Sequence, residues 1–267
     1  MLGKLIKYDL KYGVKMFLLL HVMLLTSCTA GRLIIMNQID FSSDSRRVVT
    51  TLVLIITVFT IIFSAAVFGT SLLYAARFYK NLFTDEGYLS WTIPATPLSQ
   101  LLAKVASAFI WHLLSTALSG IGIVILVTGH NTMEACSKLS IEFYDTFGIT
   151  PGKLCAVMLI LIILNSFASI AMVYLSIALG QLMPGHRVLC SVVSYFILYL
   201  CLQIFTLVGM MIMGLLPVAG YSQIATGIQF AFYFRCTIFL SIILILLMSA
   251  LGYTGTYLIM KKKLNLV

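Results

Sequence analysis

Long apolar runs, separated by short stretches of charged and turn-forming residues, dominate the pattern of hydrophobic and polar positions along this chain. A run of about 20 apolar residues is long enough to cross the hydrocarbon core of a bilayer as a helix. We therefore predict an all-α integral membrane protein in which residues 1–267 form a single transmembrane domain. The six predicted transmembrane helices are residues 16–38, 48–76, 100–128, 153–180, 188–216 and 234–260.

Residues that commonly begin helices stand where two of these spans start. Ser99 is predicted to be the N-cap of the third span, and Thr150 and Pro151 the N-cap and first helical residue of the fourth. Residues 129–152 carry apolar side chains on one helical face, which predicts a small amphipathic helix. Residues 217–233 contain Gly, Pro and polar residues, which fit either a re-entrant segment or an extended loop before an early sixth span.

The composition agrees with a membrane protein. Hydrophobic residues make up 61% of the chain and charged residues only 9%, which is too little polar surface to cover a soluble globule. The formal net charge is +9, and most Lys and Arg residues would face the cytoplasm if both termini lay there. These charges suit anionic lipid headgroups, and no compact basic domain indicates a nucleic-acid partner. We expect a multi-pass protein with cytoplasmic N- and C-termini.

Two charged stretches interrupt the apolar pattern. Residues 1–15 place lysines opposite an apolar face, as expected of a helix that lies along a membrane surface. Residues 77–99 combine charged and aromatic side chains of the kinds that anchor protein interfaces, although such aromatics also fit an ordinary interfacial loop. The residues that we select as a docking surface for another protein are Phe78, Tyr79, Lys80, Leu82, Phe83, Asp85, Glu86 and Tyr88.

Polar side chains within the predicted spans form a second set of candidates, because each of them needs a hydrogen-bond partner in hydrocarbon. Arg32 lies near a span end and fits equally well with a side chain that reaches the headgroups. On the fifth span the polar residues recur along one helical face. The candidates for a transport pathway or a dimer interface are Arg32, His112, Asn165, Tyr199, Gln203 and Thr206.

No motif in the chain indicates catalysis, a nucleotide site or a metal site. The sequence contains no G-x-x-x-x-G-K-[ST], G-x-S-x-G or H-E-x-x-H, and its six cysteines include no C-x-x-C pair. His112 is the candidate for an intramembrane enzyme, but no acidic residue accompanies it within the predicted spans. We expect a non-catalytic chain without a cofactor or metal, so another protein must supply any energy that it uses.

Two segments of the chain resemble a known protein family. The opening MLGKLIKYDLKYGVKMFLLLH and, one span later, RFYKNLFTDEGYLSWTIPATPLSQLLAKVASAFIW resemble the permease subunits of ABC-2 type transporters in Gram-positive bacteria. The likeness is strong over these two segments, and it extends to the rest of the chain through the number of spans and the loop pattern. Lys104 fits the family's basic residue, whereas Ala103 stands where serine is common.

The resemblance implies specific roles for both charged stretches. Residues 1–15 would form an elbow helix at the inner membrane surface, and the loop at 77–99 would form a cytoplasmic coupling helix that docks on a separate ABC ATPase subunit. ATP and Mg would bind that partner, in two copies, and a second permease chain, identical or homologous, would complete the transporter. Residues 217–233 would form short re-entrant helices.

The expected function is that of a permease subunit in an ATP-driven exporter of the bacterial cell membrane. Spans rich in Phe, Met and Leu favour a peptide or an amphipathic, lipid-like substrate over small ions. Such a protein would export a bacteriocin-like or cytolytic peptide, or protect the cell against one. The alternative is a membrane sensor or scaffold that recruits a soluble partner through residues 77–99.

Overall fold

The computed structural model of this chain describes residues 2–34, 46–92, 94–128, 144, 150–183, 185–212 and 227–262. The elements in these residues are all α-helices: α1 Leu2–Ile34, α2 Arg46–Phe83, α3 Asp85–Thr92, α4 Pro97–Val127, α5 Pro151–Gly180, α6 Arg187–Ile212 and α7 Gly227–Lys262. Six of these described helices, all except α3, are long and apolar enough to cross a membrane. The prediction of an all-α chain with six membrane-spanning helices is therefore confirmed at this level.

The first helix is longer than predicted, because α1 runs without a break through the expected boundary between an elbow helix and the first span near residue 15. No proline interrupts this stretch, so nothing in the local sequence ends the helix there. A helix of 33 residues is about 50 Å long, whereas the hydrocarbon core is about 30 Å thick. The charged residues at 2–15 and the apolar residues after them thus form one continuous helix.

The two predicted N-caps have different outcomes. Helix α4 begins at Pro97, and the Ser99 backbone N–H donates a hydrogen bond of 3.3 Å to the Thr96 hydroxyl oxygen. Thr96 is thus the cap, and the prediction of Ser99 is wrong because Thr followed by Pro is the stronger start signal. At α5 the prediction is confirmed, since Thr150 is the extended N-cap and Pro151 begins the helix.

Predictions for the longer connections lie mostly outside the described residues. Within the predicted amphipathic helix at 129–152, the described positions are Tyr144, which is exposed, and residues 150–152. Within residues 217–233, positions 217–226 lie outside the described ranges, and the remainder belong to α7, which begins at Gly227. Positions 227–233 are thus helical, and the choice between a re-entrant segment and an extended loop depends on residues outside the described ranges.

The chain forms two compact units. Unit 1 contains Met1–Arg77 and Leu102–Leu139, and unit 2 contains Phe78–Leu101 and Ser140–Val267. The chain passes from one unit to the other inside α2 and returns inside α4.

Part of the unit 1 core is an apolar cluster formed by α1, α2 and α4. Gly31 allows these helices to pack closely, because a Cβ atom there would collide with the Phe59 ring and lie 3.1 Å from Leu126. Gly122 also allows close packing, because a Cβ atom there would lie only 3.1 Å from Cys28 Sγ. The buried residues of the cluster are Leu24, Cys28, Ile55, Phe59, Ala66 and Leu126.

Next to this apolar cluster, unit 1 contains a buried chain of hydrogen bonds. His21 Nδ1 donates to the Phe17 carbonyl at 2.9 Å, so Nε2 accepts from the Ser115 hydroxyl, also at 2.9 Å. The Thr70 hydroxyl lies 3.2 Å from Ser115 Oγ and 2.9 Å from the Ala66 carbonyl. His21, Ser115 and Thr70 are almost fully buried. These hydrogen bonds satisfy polar side chains from three helices within the core of unit 1.

In unit 2, helix α5 packs against both α6 and α7. At the α5–α6 turn, a Cβ atom on Gly180 would lie only 2.6 Å from the Ser191 backbone nitrogen, so the two helices meet backbone to backbone. Against α7, the Tyr253 hydroxyl donates a hydrogen bond of 2.9 Å to the Phe167 carbonyl. A small cluster of Ala168, Met172 and Met248 fills the space among the three helices.

We predict that Gly180→Ala destabilises unit 2, because the added methyl group would meet the Ser191 backbone. Overpacking of this kind costs about 1–3 kcal/mol. Gly152→Ala is the matched control in the same helix, since a Cβ atom there meets nothing within 4 Å. Denaturation of the purified protein in detergent should show lower stability for Gly180→Ala alone, and equal stability of the two variants would contradict the close contact.

We also predict that Ser115→Ala destabilises unit 1, because it leaves His21 Nε2 buried without the Ser115 donor. The expected loss is about 1–3 kcal/mol. Ser119→Ala is the control on the same helix, because the Ser119 hydroxyl is buried and has no partner among the described residues. Because no hydrogen bond is lost there, Ser119→Ala should be close to neutral or stabilising. Equal losses in the same denaturation assay would argue against the His21–Ser115 bond.

Candidate functional site

The loop predicted to bind another protein is a folded helical segment. Helix α2 ends at Phe83, and after Thr84 the chain begins the eight-residue helix α3. The Gly87 N–H donates to the Thr84 carbonyl at 2.7 Å, which closes the turn between the helices. Asp85 and Glu86 occupy the first turn of α3, where negative charge is favoured by the helix dipole.

Three hydrogen bonds hold α3 against its neighbours in sequence. The Ser90 hydroxyl donates to Asn81 Oδ1 at 2.9 Å, and the Trp91 indole N–H donates to the Leu82 carbonyl at 3.2 Å. The Gln100 side-chain amide donates to the Ser90 carbonyl at 2.9 Å. Helix α3 is thus tied both to the end of α2 and to the start of α4. These residues are not among the predicted docking residues, because a sequence pattern does not show which side chains of neighbouring helices meet.

Three of the predicted docking residues are buried within the structure. Phe78 and Leu82 are 0% exposed and Phe83 is 5% exposed. The Phe78 ring stacks on Tyr174 of α5 with 3.9 Å between ring centroids, and Phe83 meets Phe78 edge-on. Phe78 thus anchors the segment to α5, and none of the three side chains contributes to its surface.

The other predicted docking residues lie on the outside of the segment. Tyr79 is half-buried, whereas Tyr88 is 54% exposed. We call the exposed face of the segment those predicted docking residues that are exposed, namely Lys80, Asp85, Glu86 and Tyr88. It offers both signs of charge and one aromatic ring to a partner.

A second polar site, which we call the Asp9 cluster, lies in unit 1. The Asp9 carboxylate oxygen Oδ1 lies 2.6 Å from Lys104 Nζ and 3.1 Å from Arg77 Nε. The Arg77 guanidinium also lies over the Tyr12 ring, 4.4 Å from its centroid. The side chains of Asp9 and Lys104 are 5% and 7% exposed. Removing one partner from a buried ion pair costs about 3–5 kcal/mol, so Asp9 is a strong constraint on unit 1.

Asp9 is not among the predicted site residues, because it stands among lysines in a segment expected to lie on a membrane surface. A signal was nevertheless present. Asp9 lies four residues from both Leu5 and Gly13, and Phe17 follows at the same spacing, so this acidic residue falls on the apolar face of α1. An acidic residue on an apolar face generally needs a buried cation.

The two candidate residues of unit 1 do not form a common site with each other. Arg32 is half-buried in the last turn of α1. His112 lies on α4, and its buried Nδ1 has no hydrogen-bond partner among the described residues. Within the described residues, neither side chain forms a hydrogen bond or ion pair with the Asp9 cluster, and the prediction that they share a pathway or an interface stays a prediction.

In unit 2, the predicted polar stripe on α6 divides into two parts. Thr206 is half-buried and its hydroxyl donates to the Leu202 carbonyl of its own helix at 2.9 Å. Tyr199 and Gln203 are exposed, as is Asn165 on α5. Because α5 and α6 run antiparallel from the Gly180–Ser191 contact, Asn165 and Gln203 lie at similar depths.

The described residues contain no group of three or more His, Cys, Asp and Glu side chains that could hold a metal ion. The cysteines within the described ranges are free, and Cys136 lies outside them. His21 and Ser115 have the hydrogen bond of a base–nucleophile pair, but both are almost completely buried, and Nδ1 donates to a backbone carbonyl. Their arrangement serves packing of unit 1.

The chain matches no family model, no curated protein and no solved structure. What it does must therefore follow from its apolar helices, from the folded segment before α4 and from the polar positions described above.

Proposed function

We propose that this chain is the permease subunit of an ATP-driven exporter of the ABC-2 type in the bacterial cell membrane. ATP and Mg bind a separate ATPase subunit, which docks on the exposed face of the segment formed by the end of α2 and by α3. Both termini lie in the cytoplasm. The observation that carries the proposal is a folded, charged helical segment between two helices that are able to span a membrane.

The internal bonds of the segment support a docking role. A loop held in one conformation loses little entropy on binding, so more of its contact energy appears as affinity. Lys80 and Asp85 provide charges that orient a partner, and Tyr88 is an exposed side chain of the type that anchors interfaces. The stack of Phe78 on Tyr174 then connects the docked segment to α5.

Energy transfer in this proposal needs no chemistry on the permease. ATP binding changes the contacts that the ATPase subunit makes with the segment, and these differential contacts favour one arrangement of the membrane helices over another. The coupling is reciprocal, so substrate binding to the permease changes the affinity of the ATPase subunit for ATP.

The first part of α1 supports the predicted position at the inner membrane surface. Its exposed lysines meet anionic headgroups, where each basic residue contributes about 1 kcal/mol. In this proposal the elbow is the charged beginning of a continuous helix. The lysines are Lys4, Lys7, Lys11 and Lys15.

The exposed carboxamides of Asn165 and Gln203 support a second permease chain, identical or homologous. A carboxamide both donates and accepts hydrogen bonds, so two copies of the same surface are complementary about a twofold axis. In hydrocarbon such groups favour contact with another helix or with a polar group of the substrate. Two permease chains would match two ATPase subunits.

The apolar surface of the helices favours a peptide or an amphipathic, lipid-like substrate. Many of the large side chains exposed on α6 are apolar, among them Phe196, Leu200 and Phe205. Flexible or aromatic apolar surfaces adapt to such molecules, whereas small ions need rings of polar ligands. Export from the cell is the direction that we propose.

The docking proposal predicts that charge reversal on the exposed face releases the ATPase subunit. Lys80→Glu combined with Asp85→Lys should reduce the ATPase recovered with the tagged permease in mild detergent by about tenfold or more, which is about 1.4 kcal/mol of binding free energy. Mass spectrometry and an ATPase assay on the recovered complex would measure this loss. Lys153→Glu, an exposed change at the start of α5, is the control and should have no effect.

Two results would contradict the docking proposal. Recovery of the ATPase with the double variant at the wild-type level would show that the exposed face is not the docking surface. Recovery of a soluble regulator without any ATPase from wild-type protein would favour the sensor or scaffold hypothesis.

For the membrane-embedded candidates, we predict that Gln203→Leu changes substrate-stimulated ATPase activity by at least about twofold while the amount of folded protein stays constant. Leucine on this exposed surface should not lower the stability of the protein in lipid. The variant therefore loses only a polar contact with substrate or with a second chain. Thr206→Val is the control, because the Thr206 hydroxyl is already bonded within its own helix. Equal changes in activity and protein level would assign Gln203 to packing.

A further inference from the structure

We propose that α1 carries a binding site for an anionic phospholipid, whose phosphate lies between Lys11 and Lys15 while an acyl chain lies along Leu18 and Val22. The inference rests on one part of the proposed function, the position of the charged beginning of α1 at a membrane surface. It adds the class of lipid that is bound and the residues that bind it, and it does not depend on the ATPase subunit.

A stripe of basic side chains runs along one face of the first half of α1. Its lysines follow one another at intervals of three or four residues, which places them on the same side of a helix. The members of this lysine stripe are Lys4, Lys7, Lys11 and Lys15, and all of them are exposed. The stripe therefore presents a row of positive charge on the surface of unit 1.

The described residues of unit 1 do not neutralise the lysine stripe. Cations near a helix N-terminus are unfavourable to the helix dipole, and like charges four residues apart repel one another. The first turn of α1 contains no acidic residue. Asp9 is the only acidic side chain in the described part of unit 1, and it is buried against Lys104 and Arg77. An anionic ligand on the stripe would therefore relieve a repulsion within α1.

The face that carries the lysine stripe continues into exposed apolar residues. Leu18 lies three residues after Lys15, and Val22 lies four residues after Leu18, so both share this face. Each of these two side chains is 55% exposed. A phospholipid has the same order of groups, with an anionic phosphate next to its acyl chains. A soluble acidic peptide or a free phosphate ion would leave the apolar part of this surface uncovered, so the surface fits a lipid.

The depth of the lysines in a bilayer separates them into two pairs. Residues 16–34 form about 28 Å of helix, which matches a hydrocarbon core about 30 Å thick. With these residues in the core, Lys15 lies at its edge and Lys11 about 6 Å farther out, at the depth of the phosphates. Lys7 and Lys4 lie about 12 and 16 Å beyond the edge, outside the headgroup layer, where they attract anionic lipid only at a distance.

The test is titration of phosphatidylglycerol into the delipidated full-length protein in a neutral detergent, with the bound lipids counted by native mass spectrometry. Wild-type protein should bind phosphatidylglycerol about tenfold or more tightly than phosphatidylcholine, because each basic residue near an anionic headgroup changes the affinity about fivefold. Lys11→Gln combined with Lys15→Gln should weaken the binding of phosphatidylglycerol about 20-fold by the same reasoning. Lys11→Arg combined with Lys15→Arg, which keeps both charges, should bind it as wild-type protein does.

The matched control is Lys4→Gln combined with Lys7→Gln, which removes the same charge from the same face of the same helix. It should weaken binding by less than about threefold, because these charges act on the headgroup through screened attraction alone. All four side chains are exposed, so both double variants should melt at the wild-type temperature in phosphatidylcholine. Glycerol 3-phosphate, a soluble analogue of the headgroup, should not displace the bound lipid.

Three results would overturn the inference. Equal weakening by the two double variants would show attraction by total charge, without a site at Lys11 and Lys15. Unchanged affinity in the variant at Lys11 and Lys15 would place the lipid elsewhere. Displacement by glycerol 3-phosphate would show that the surface binds phosphate without an acyl chain. Failure to recover an ATPase with wild-type protein would overturn the proposed permease and leave the lipid site in place.

Discussion

Hydrocarbon provides no hydrogen-bond partners, so every polar group that this chain carries into the membrane needs a partner from the chain itself or from another molecule. Hydroxyl side chains meet this need within their own helices, as Thr57, Thr60 and Ser241 do by donating to the carbonyl four residues earlier. His21 meets it across helices through Ser115. Asn165 and Gln203 are exposed instead, which is the basis on which we propose a second molecule as their partner.

In the segment that precedes α4, buried aromatic residues and exposed charged residues have different roles. Its aromatic residues Phe78 and Phe83 are buried, and the Phe78 ring packs on Tyr174 of α5, whereas the charged residues Lys80, Asp85 and Glu86 lie on its exposed face. A segment that used its aromatic residues only for a partner would expose them to water or lipid in the absence of that partner. Here the partner would meet a surface whose shape is already set.

The apolar pattern was sufficient to predict six membrane-spanning helices, because a span must be nearly free of charge for about 20 residues. It was not sufficient to place side chains. Phe78 and Tyr88 look alike in sequence, yet one is buried and the other exposed, because only the contact with Tyr174, far along the chain, separates them. Asp9 was missed for a similar reason, since both of its cations come from distant helices.

The starts of helices were easier to predict than side-chain contacts, because capping residues and proline act locally. Thr150 and Pro151 marked the start of α5 correctly, whereas at α4 the stronger pair of Thr96 and Pro97 stood three residues before the predicted cap. Helix α1 shows where this kind of prediction fails. Its sequence changes from an amphipathic to an apolar pattern, yet the helix continues without a break. The composition of a segment predicts whether it lies in water, at a membrane surface or in hydrocarbon. The end of a helix is predicted only by a helix-breaking residue or a capping residue.

The apolar cluster of unit 1 has a consequence for the movement of ions across a membrane. Beyond His21, the helices meet through Leu24, Cys28, Phe59 and Leu126, with glycines that bring the backbones together. A proton or a hydrated ion would have to give up its water to cross this layer, at a cost of many times the thermal energy. In a membrane, this layer would therefore oppose the passage of ions through unit 1.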